Sequence, residues 1–377
     1  MTEVTSLSPR VIKDPALRRD PYKEERIMEN IKLVSIDAGK YATKSYALTP
    51  DGVIRKKCRT KYSEGNFKDD MIQRGTFIAQ IDGGPIYRIG HGAKNEPAAE
   101  TSKKAEINRI VTLAAVARML GAGTHENVGI AIGLPLDICE KVEERLDYKE
   151  FILGKPGTLH TVRLKESSYS EIVEVKFSFG RQLVYPEGIG ALYKYPAICK
   201  NYPVGIIDIG HINTNCLYYN LFEPVYESCF TDEMGGKFLI SELTGKLSAE
   251  LGSGVDDNLV ASILKRPYEE RCLPSTVPGF DTQEQSRKVI DQTLRDHVLG
   301  IRQRCRTRHW SIDFMIKIFI GGASRLLQKE IRETFGESAI IADESEYVNA
   351  YGFLKILCAY EGIDLDEIVE KQKESEA

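Results

Sequence analysis

Ile31-Lys32-Leu33-Val34-Ser35-Ile36-Asp37-Ala38-Gly39-Lys40-Tyr41-Ala42-Thr43-Lys44 is the stretch on which the fold turns. Its first half is a short, almost continuous apolar run, the pattern of a strand buried on both faces. The run ends in Asp37-Ala38-Gly39, and a second strand, TKSYALT, follows at once. Pro50-Asp51-Gly52 then turns the chain into a third strand, VIRKKCRT.

The same grammar returns at Val204. VGIID ends in Asp208-Ile209-Gly210, His211-Ile212-Asn213 completes a turn, and TNCLYYN begins a second strand at Thr214. A loop holding Pro224 leads to a third, VYESCFT. Two such meanders suggest a duplicated domain. A helix should follow each: AEINRIVTLAAVARML, stopping at Gly121-Ala122-Gly123, and GGKFLISELTGKL, opening on a glycine pair. VGIAIGLPL and KIFIGGA read as further buried strands, the latter running into a helix over SRLLQKEIRETF. SAIIADE reads as a last strand and YVNAYGFLKILCAY as a last helix. Alternating strands and helices make an α/β protein.

These elements divide the 377 residues. Residues 1–30, with Pro9, Pro15 and Pro21 and no apolar period, read as a flexible extension. Domain I covers 31–190, with an insertion over about 58–100 and a completing helix over 346–362. The insertion holds a hairpin, FIAQIDGG-PIYRIGHG, turning at Gly83-Gly84. Domain II covers 191–345, with a helical insertion over about 245–310 that loops around Pro274 and Pro278. Residues 363–377 form an acidic tail expected to fray.

Composition excludes several classes. At 42% hydrophobic and 28% charged the chain is an ordinary globular one, and its net charge of −4 gives no general attraction to nucleic acid or an anionic membrane. No apolar run approaches the roughly 20 residues of a membrane span, and the N-terminus lacks a signal-peptide core. Eight cysteines occur without a CxxC pair, and six histidines without HxxxH or HxH spacing, so a zinc ribbon, a redox dithiol or a His-based metal site is not expected. Buried thiols in a cytoplasmic protein are the reading.

The chemistry sits at the strand ends. Glycine after each first strand lets backbone N–H groups turn toward an anion, Lys44 can reach a phosphate, and Asp37 can hold Mg2+ through water. Asp208 and Gly210 repeat the device, so two facing hairpins can clamp a triphosphate, one carboxylate from each domain sharing a hydrated metal. The paired glycines of Gly321-Gly322-Ala323 let backbone lie flat against a nucleoside. Glu233, Gly235, Gly236 and Lys237, before the second-half helix, are placed to touch a ribose. In Val184-Tyr185-Pro186-Glu187, proline reads as a helix start with Glu187 in the first turn, complementing the helix dipole or accepting a proton from water. Gly188, Gly190 and Ala191, with Ala350 and Gly352 on the last helix, allow two helices to cross closely at a hinge. Arg302, Arg304, Arg306 and Arg308, with Arg295 and His309, make a basic stripe, either one face of an extended segment or a turn around a helix. It reads as a solvated face, a direct contact for DNA or a seat for a neighbouring subunit, and Trp310 beside it as core or interface.

Taken in order, first phosphate hairpin, first connecting helix, second phosphate hairpin, Gly-Gly loop and second connecting helix resemble the actin, heat-shock-chaperone and sugar-kinase ATPase superfamily. IDGGPIYRIGHGA, IGLPL, VYPEGIGAL and VNAYGF resemble the bacterial actin-like plasmid-segregation ATPases of the ParM type. The resemblance implies an actin-like fold of two ribonuclease H-like domains flanking a nucleotide cleft. It gives Asp37 and Asp208 to hydrated Mg2+, the turns Gly39-Lys40-Tyr41 and Gly210-His211-Asn213 with Lys44 and Thr214 to phosphates, and Gly321, Gly322 and Ala323 to the nucleoside. Glu187 then orients the attacking water. It further implies ATP or GTP as the cofactor, hydrolysis coupled to filament assembly, and a small DNA-binding adaptor on centromere-like DNA, so that contact with nucleic acid is indirect. His211-Ile212-Asn213 departs from the usual small residues of the second hairpin. No GxxxxGK[ST] pattern occurs, which excludes a P-loop ATPase. A small-molecule kinase of the same superfamily is the alternative; a chaperone would need a substrate-binding domain after the second connecting helix.

Overall fold

The computed structural model describes residues 32–96, 102–274 and 282–376, and the extension expected over 1–30 lies outside them. The chain divides into two units, Met1–Lys194 with Asn349–Ala377, and Tyr195–Val348.

In chain order the first unit opens with β1 (Leu33–Ala38), β2 (Ala42–Thr49), β3 (Gly52–Arg59), β4 (Tyr62–Glu64), β5 (Thr76–Ile81) and β6 (Ile86–Gly90). It continues with α1 (Glu106–Leu120), β7 (Gly123–Leu134), α2 (Val142–Leu153), β8 (Leu159–Lys165), β9 (Val173–Pro186) and α3 (Gly190–Lys194). The second unit holds β10 (Val204–Ile209), β11 (Thr214–Asn220), β12 (Glu223–Pro224), β13 (Phe230–Asp232), α4 (Gly236–Leu251), α5 (Asp257–Leu264), α6 (Thr282–Thr307), β14 (Ile316–Ile320), α7 (Gln328–Phe335) and β15 (Ile340–Ile341). The chain ends in α8 (Val348–Tyr360) and α9 (Leu365–Glu376).

One mixed sheet runs β3-β2-β1-β7-β9-β8-β5-β6-β4. Its centre, β1, β7 and β9, is parallel, and β1 is buried along its whole length. Helix α1 is buried almost all round, from Ile107 to Met119, the property of a helix closed in by sheet on one side and other elements on the rest. Phe77, Phe177 and Phe179 are fully buried in this core, each contributing roughly 2–3 kcal/mol of transfer free energy. The hairpin β5–β6 turns through Asp82 and Gly83, both at positive φ, with the Gly84 N–H donating to the Ile81 carbonyl at 2.8 Å.

Two readings of this unit are corrected. Pro186 does not start a helix: it ends β9, paired with Leu134, and the Glu187 N–H continues to the Leu134 carbonyl at 2.8 Å. Ladder pairing carries the extended chain past the local helix signal, and the helix begins only at Gly190. The tail does not fray. Asp364 accepts from the N–H groups of Asp366 and Glu367, an N-cap followed by acidic first-turn residues. Asp366 then accepts from Tyr351 Oη at 2.6 Å and pairs with Lys355, while Gln372 accepts from Val53 N at 3.0 Å. The expected close crossing of small residues is present: a Cβ on Gly352 would lie 2.3 Å from Gly190 Cα.

The second sheet runs β12-β11-β10-β14-β15, with β13 on β11, and β10, β14 and β15 are parallel. The expected strand VYESCFT is broken, because Tyr226–Ser228 forms a 3-10 turn between β12 and β13. That turn presents the Ser228 carbonyl to Trp310 Nε1 at 2.7 Å. Trp310 is core, and Gly205 makes room for it: a Cβ there would lie 2.3 Å from the indole. Helix α7 starts at Gln328 rather than Ser324, since Ser324 Oγ turns back to the Ile320 carbonyl. The arginine stripe lies on the end of α6, a helix and not an extended segment. Arg302 and Arg306 flank Asp313, Arg304 pairs with Asp232, and Arg308 covers the Phe230 ring.

Six of the eight cysteines are buried and all are free thiols; burial pushes Cys58 up to about 11 and Cys199 to about 12, so they stay protonated. Among the described residues no helix is long and apolar enough to cross a membrane.

His297 on α6 yields a pH prediction. Its ring is buried, and neither nitrogen has a hydrogen-bond partner among the described residues. Burial holds the imidazole below its ordinary value, at about 4. The unfolded chain takes up that proton near pH 6.5. Stability is therefore complete above pH 6.5 and falls as pH drops toward 4, by on the order of 2 kcal/mol from this group. His297→Leu should flatten the acid limb of stability measured by urea unfolding between pH 7 and 4.5; an unchanged limb refutes the assignment.

Candidate functional site

The three parallel strands of the first unit bring their C-terminal ends to one edge of the sheet, where open α/β sheets bind ligands. Asp37 closes β1 and Glu187 follows β9. Asp37 is buried and stands opposite Lys44 in the β1–β2 ladder, with Lys44 Nζ 3.0 Å from its Oδ2. Between them the chain turns at Gly39-Lys40-Tyr41. Gly39 N donates to the Asp37 carbonyl at 3.0 Å, and a Cβ on Gly39 would lie 2.9 Å from the Ala42 carbonyl and 3.2 Å from Lys44 Nζ. The turn is held from behind by Thr60, whose Oγ1 donates to the Gly39 carbonyl at 2.6 Å and whose N–H donates to Tyr41. The Tyr41 ring is covered by the Arg59 guanidinium 3.4 Å away, so that face is taken.

Glu187 has a partner that no sequence pattern indicated. Lys103, buried just ahead of α1, places Nζ 2.7 Å from Glu187 Oε1 and donates to the Ala38 carbonyl at 2.8 Å. A cation before a helix start opposes the helix dipole, and that local mismatch was the one available signal. Tyr148 lies nearby, fully buried, its hydroxyl donating to the Gly133 carbonyl at 3.3 Å. Burial first, then the charges of Glu187 and Asp37, push its pKa well above the ordinary tyrosine range, so it stays a donor.

In the second unit β10, β14 and β15 likewise end together. Asp208 is buried beside the Gly321-Gly322-Ala323 loop. Gly321 has φ +87°, and a Cβ there would lie 2.4 Å from both Asp208 Oδ1 and the Ile209 carbonyl, so only glycine fits. Gly321 N donates to Ser345 and Ala323 N to Ile209. The second turn closes through Gly210 N to the Asn213 carbonyl at 2.9 Å.

That turn also caps α4. The N–H groups of Gly235, Gly236 and Lys237 donate to the carbonyls of Ile212, Gly210 and His211, at 3.1, 2.9 and 2.7 Å. The backbone of these three residues, marked in the sequence for a ribose, therefore holds the turn, leaving the exposed side chains of Glu233 and Lys237. Thr214 Oγ1 donates to the Met234 carbonyl at 2.6 Å and is buried, so it ties the same loop. Asp208, Gly210, His211, Asn213 and residues 321–323 share one end of this sheet, with Gly236 packed beside Ala323.

No group of three or more His, Cys, Asp or Glu able to hold a metal occurs among the described residues. Single buried carboxylates, one already carrying Lys44, suit a cation held through its water shell rather than stripped of it. A cavity of about 630 Å3 opens at the start of β1, against the interior of β7 and β9, lined by Lys32, His125, Glu126, Arg181 and Glu361 among others. Lys32 meets His125 and Arg181 meets Glu361, and none of the groups singled out above reaches it.

Residues 35–190 match the family described as actin-like proteins, N-terminal domain. An archaeal actin homolog of Thermoplasma acidophilum is 26% identical over 225 residues, 54% of this chain and 67% of that protein. Among solved structures, an archaeal actin homolog aligns with TM-score 0.67 at 20% identity, over 86% of this chain and 99% of that one. The complex of an archaeal actin homolog with ADP gives 0.64 at 21% identity, over 86% and 99%. A 15-stranded ParM filament from Clostridium botulinum gives 0.65 at 19% identity, over 87% and 99%. The α/β architecture built on two sheets is therefore the actin-like fold, and residues 35–190 are an actin-like N-terminal domain.

Proposed function

We propose that this chain binds ATP or GTP with Mg2+, assembles with copies of itself into filaments, and hydrolyses the nucleotide as the filament ages. The observation that carries the reading is the repeated strand end, an aspartate and a glycine turn in each unit, with Glu187 after β9 on the same sheet edge as Asp37 of β1. The ADP complex of an archaeal actin homolog and the ParM filament support it.

The turn after Asp37 and the turn after Asp208 each offer one carboxylate and a set of backbone N–H groups suited to phosphate oxygens. Lys44, now on Asp37, neutralises phosphoryl charge. Asp37 and Asp208 are the carboxylates that would hold Mg2+ through its water shell, and the ion would supply positive charge to phosphate oxygens. Glu187 accepts a proton from water as the water oxygen bonds to the γ-phosphorus. The bond from that phosphorus to the bridging oxygen breaks, leaving nucleoside diphosphate and inorganic phosphate. The finer reading is a filament that segregates plasmid DNA through a small adaptor bound to a centromere-like site; the chain's net charge of −4 favours an indirect contact with DNA.

Light scattering and pelleting with Mg2+ and either nucleotide, recorded together with phosphate release, test the proposal. Assembly that rises with nucleotide and decays as phosphate appears is expected; phosphate release without assembly at any protein concentration refutes the filament. Asp208→Ala should weaken Mg2+-dependent nucleotide binding by about tenfold or more, roughly the 1.4 kcal/mol of one charge-assisted interaction. Calorimetric titration reads this directly, and unchanged affinity would remove Asp208 from the site.

A further inference from the structure

Lys103 is a buried ammonium in a position where local sequence rules disfavour a cation. Such a charge is retained only when paired and hydrogen-bonded. Its two acceptors are Glu187 Oε1 at 2.7 Å and the Ala38 carbonyl at 2.8 Å. Ala38 lies between Asp37 and Gly39, so one ammonium ties the first glycine turn to the carboxylate at the end of β9. The backbone of Glu187 is already fixed by its N–H on Leu134, and Gly133 leaves room for its side chain, with Glu187 Cγ 3.5 Å from where a Cβ would stand. Lys103 thus touches both the carboxylate and the turn.

We infer that Lys103 is a positioning residue for hydrolysis: it holds the Glu187 carboxylate aimed relative to the Asp37-Ala38-Gly39 turn, without itself binding the nucleotide. The inference rests on the reading of Glu187 as the acceptor of the water proton. A carboxylate displaced by about 1 Å loses roughly a hundredfold in rate while leaving the phosphate contacts in place.

The test uses the full chain and three variants. Lys103→Met keeps the stem and removes the charge. Its turnover should fall about 10–100-fold while nucleotide affinity, read by titration with a fluorescent analogue, changes less than about threefold. Glu187→Gln and the double variant complete a cycle, and the double variant should turn over within about twofold of Glu187→Gln alone, because Lys103 acts only through that carboxylate. Should Lys103→Met not fold, Lys103→Gln keeps a donor for Ala38, lacks the charge and should show the same split. Affinity falling by the same factor as turnover makes Lys103 a phosphate ligand or a structural group and overturns the inference. Multiplying effects in the double variant, or unaltered turnover in both Lys103 variants, overturn it too. Wild-type turnover in Glu187→Gln removes the reading of Glu187 and this inference with it, an outcome seen in that variant alone.

Discussion

Glu187→Ala should slow phosphate release by about 10²–10⁴-fold, with nucleotide affinity within a few-fold of the unaltered chain. The expectation follows from where the carboxylate stands. It follows β9 at the sheet edge where Asp37 lies near the end of β1, and it is bonded to Lys103. Removing it takes away the proposed proton acceptor and leaves the turn's own bonds, from Gly39 to Asp37 and from Thr60 to Gly39, untouched. The alanine variant also leaves Lys103 buried without its counter-ion, a change that costs about 3 kcal/mol or more where no water reaches the charge. Thermal unfolding should therefore accompany the kinetics, and Glu187→Gln, which keeps an oxygen for Lys103, separates chemistry from stability. Turnover near that of the unaltered chain in a folded Gln variant would remove Glu187 from the mechanism.

Gly352→Val should destabilise the first unit by roughly 2–4 kcal/mol. Gly352 faces Gly190 where α8 crosses α3, and an added Cβ would stand 2.3 Å from Gly190 Cα and 2.7 Å from its carbonyl oxygen. Both are backbone atoms, so no side-chain rotation relieves the clash, and the helices must separate. Separation also strains the bond from Gly188 N to Asn349 Oδ1, 2.9 Å long and buried. In a unit of this size such a loss lowers the midpoint of thermal unfolding by about 5–15 °C. Calorimetry checks it, and an unchanged midpoint would mean that the crossing is looser than its geometry.

Much of the fold was legible because its central strands are buried on both faces. β1 and β10 read as apolar runs that no amphipathic helix would show, and the Asp-x-Gly at each end repeated at matching places. What local reading missed depends on distant partners. Pro186 signals a helix start, yet pairing with Leu134 extends β9 through it. VYESCFT has strand composition, but Trp310, far along the chain, takes the Ser228 carbonyl and a 3-10 turn results. The acidic tail reads as frayed until Val53 finds Gln372 and Tyr351 finds Asp366. At the site, Asp37 facing Lys44 follows from simple hairpin register. Lys103 does not, because its partners lie on β1 and after β9, and the lysine pair at 103–104 looks like any solvated turn.

The turn Gly210–Asn213 gives three of its carbonyls to the first N–H groups of a 16-residue helix. Those bonds are made by main chain alone, so they are blind to which side chains the turn carries and sensitive only to how many residues it has. One residue more or fewer would swing the carbonyls off the helix start and undo the cap. The loop is thus a cassette of locked length, whose cap tolerates substitution along the turn far better than insertion or deletion.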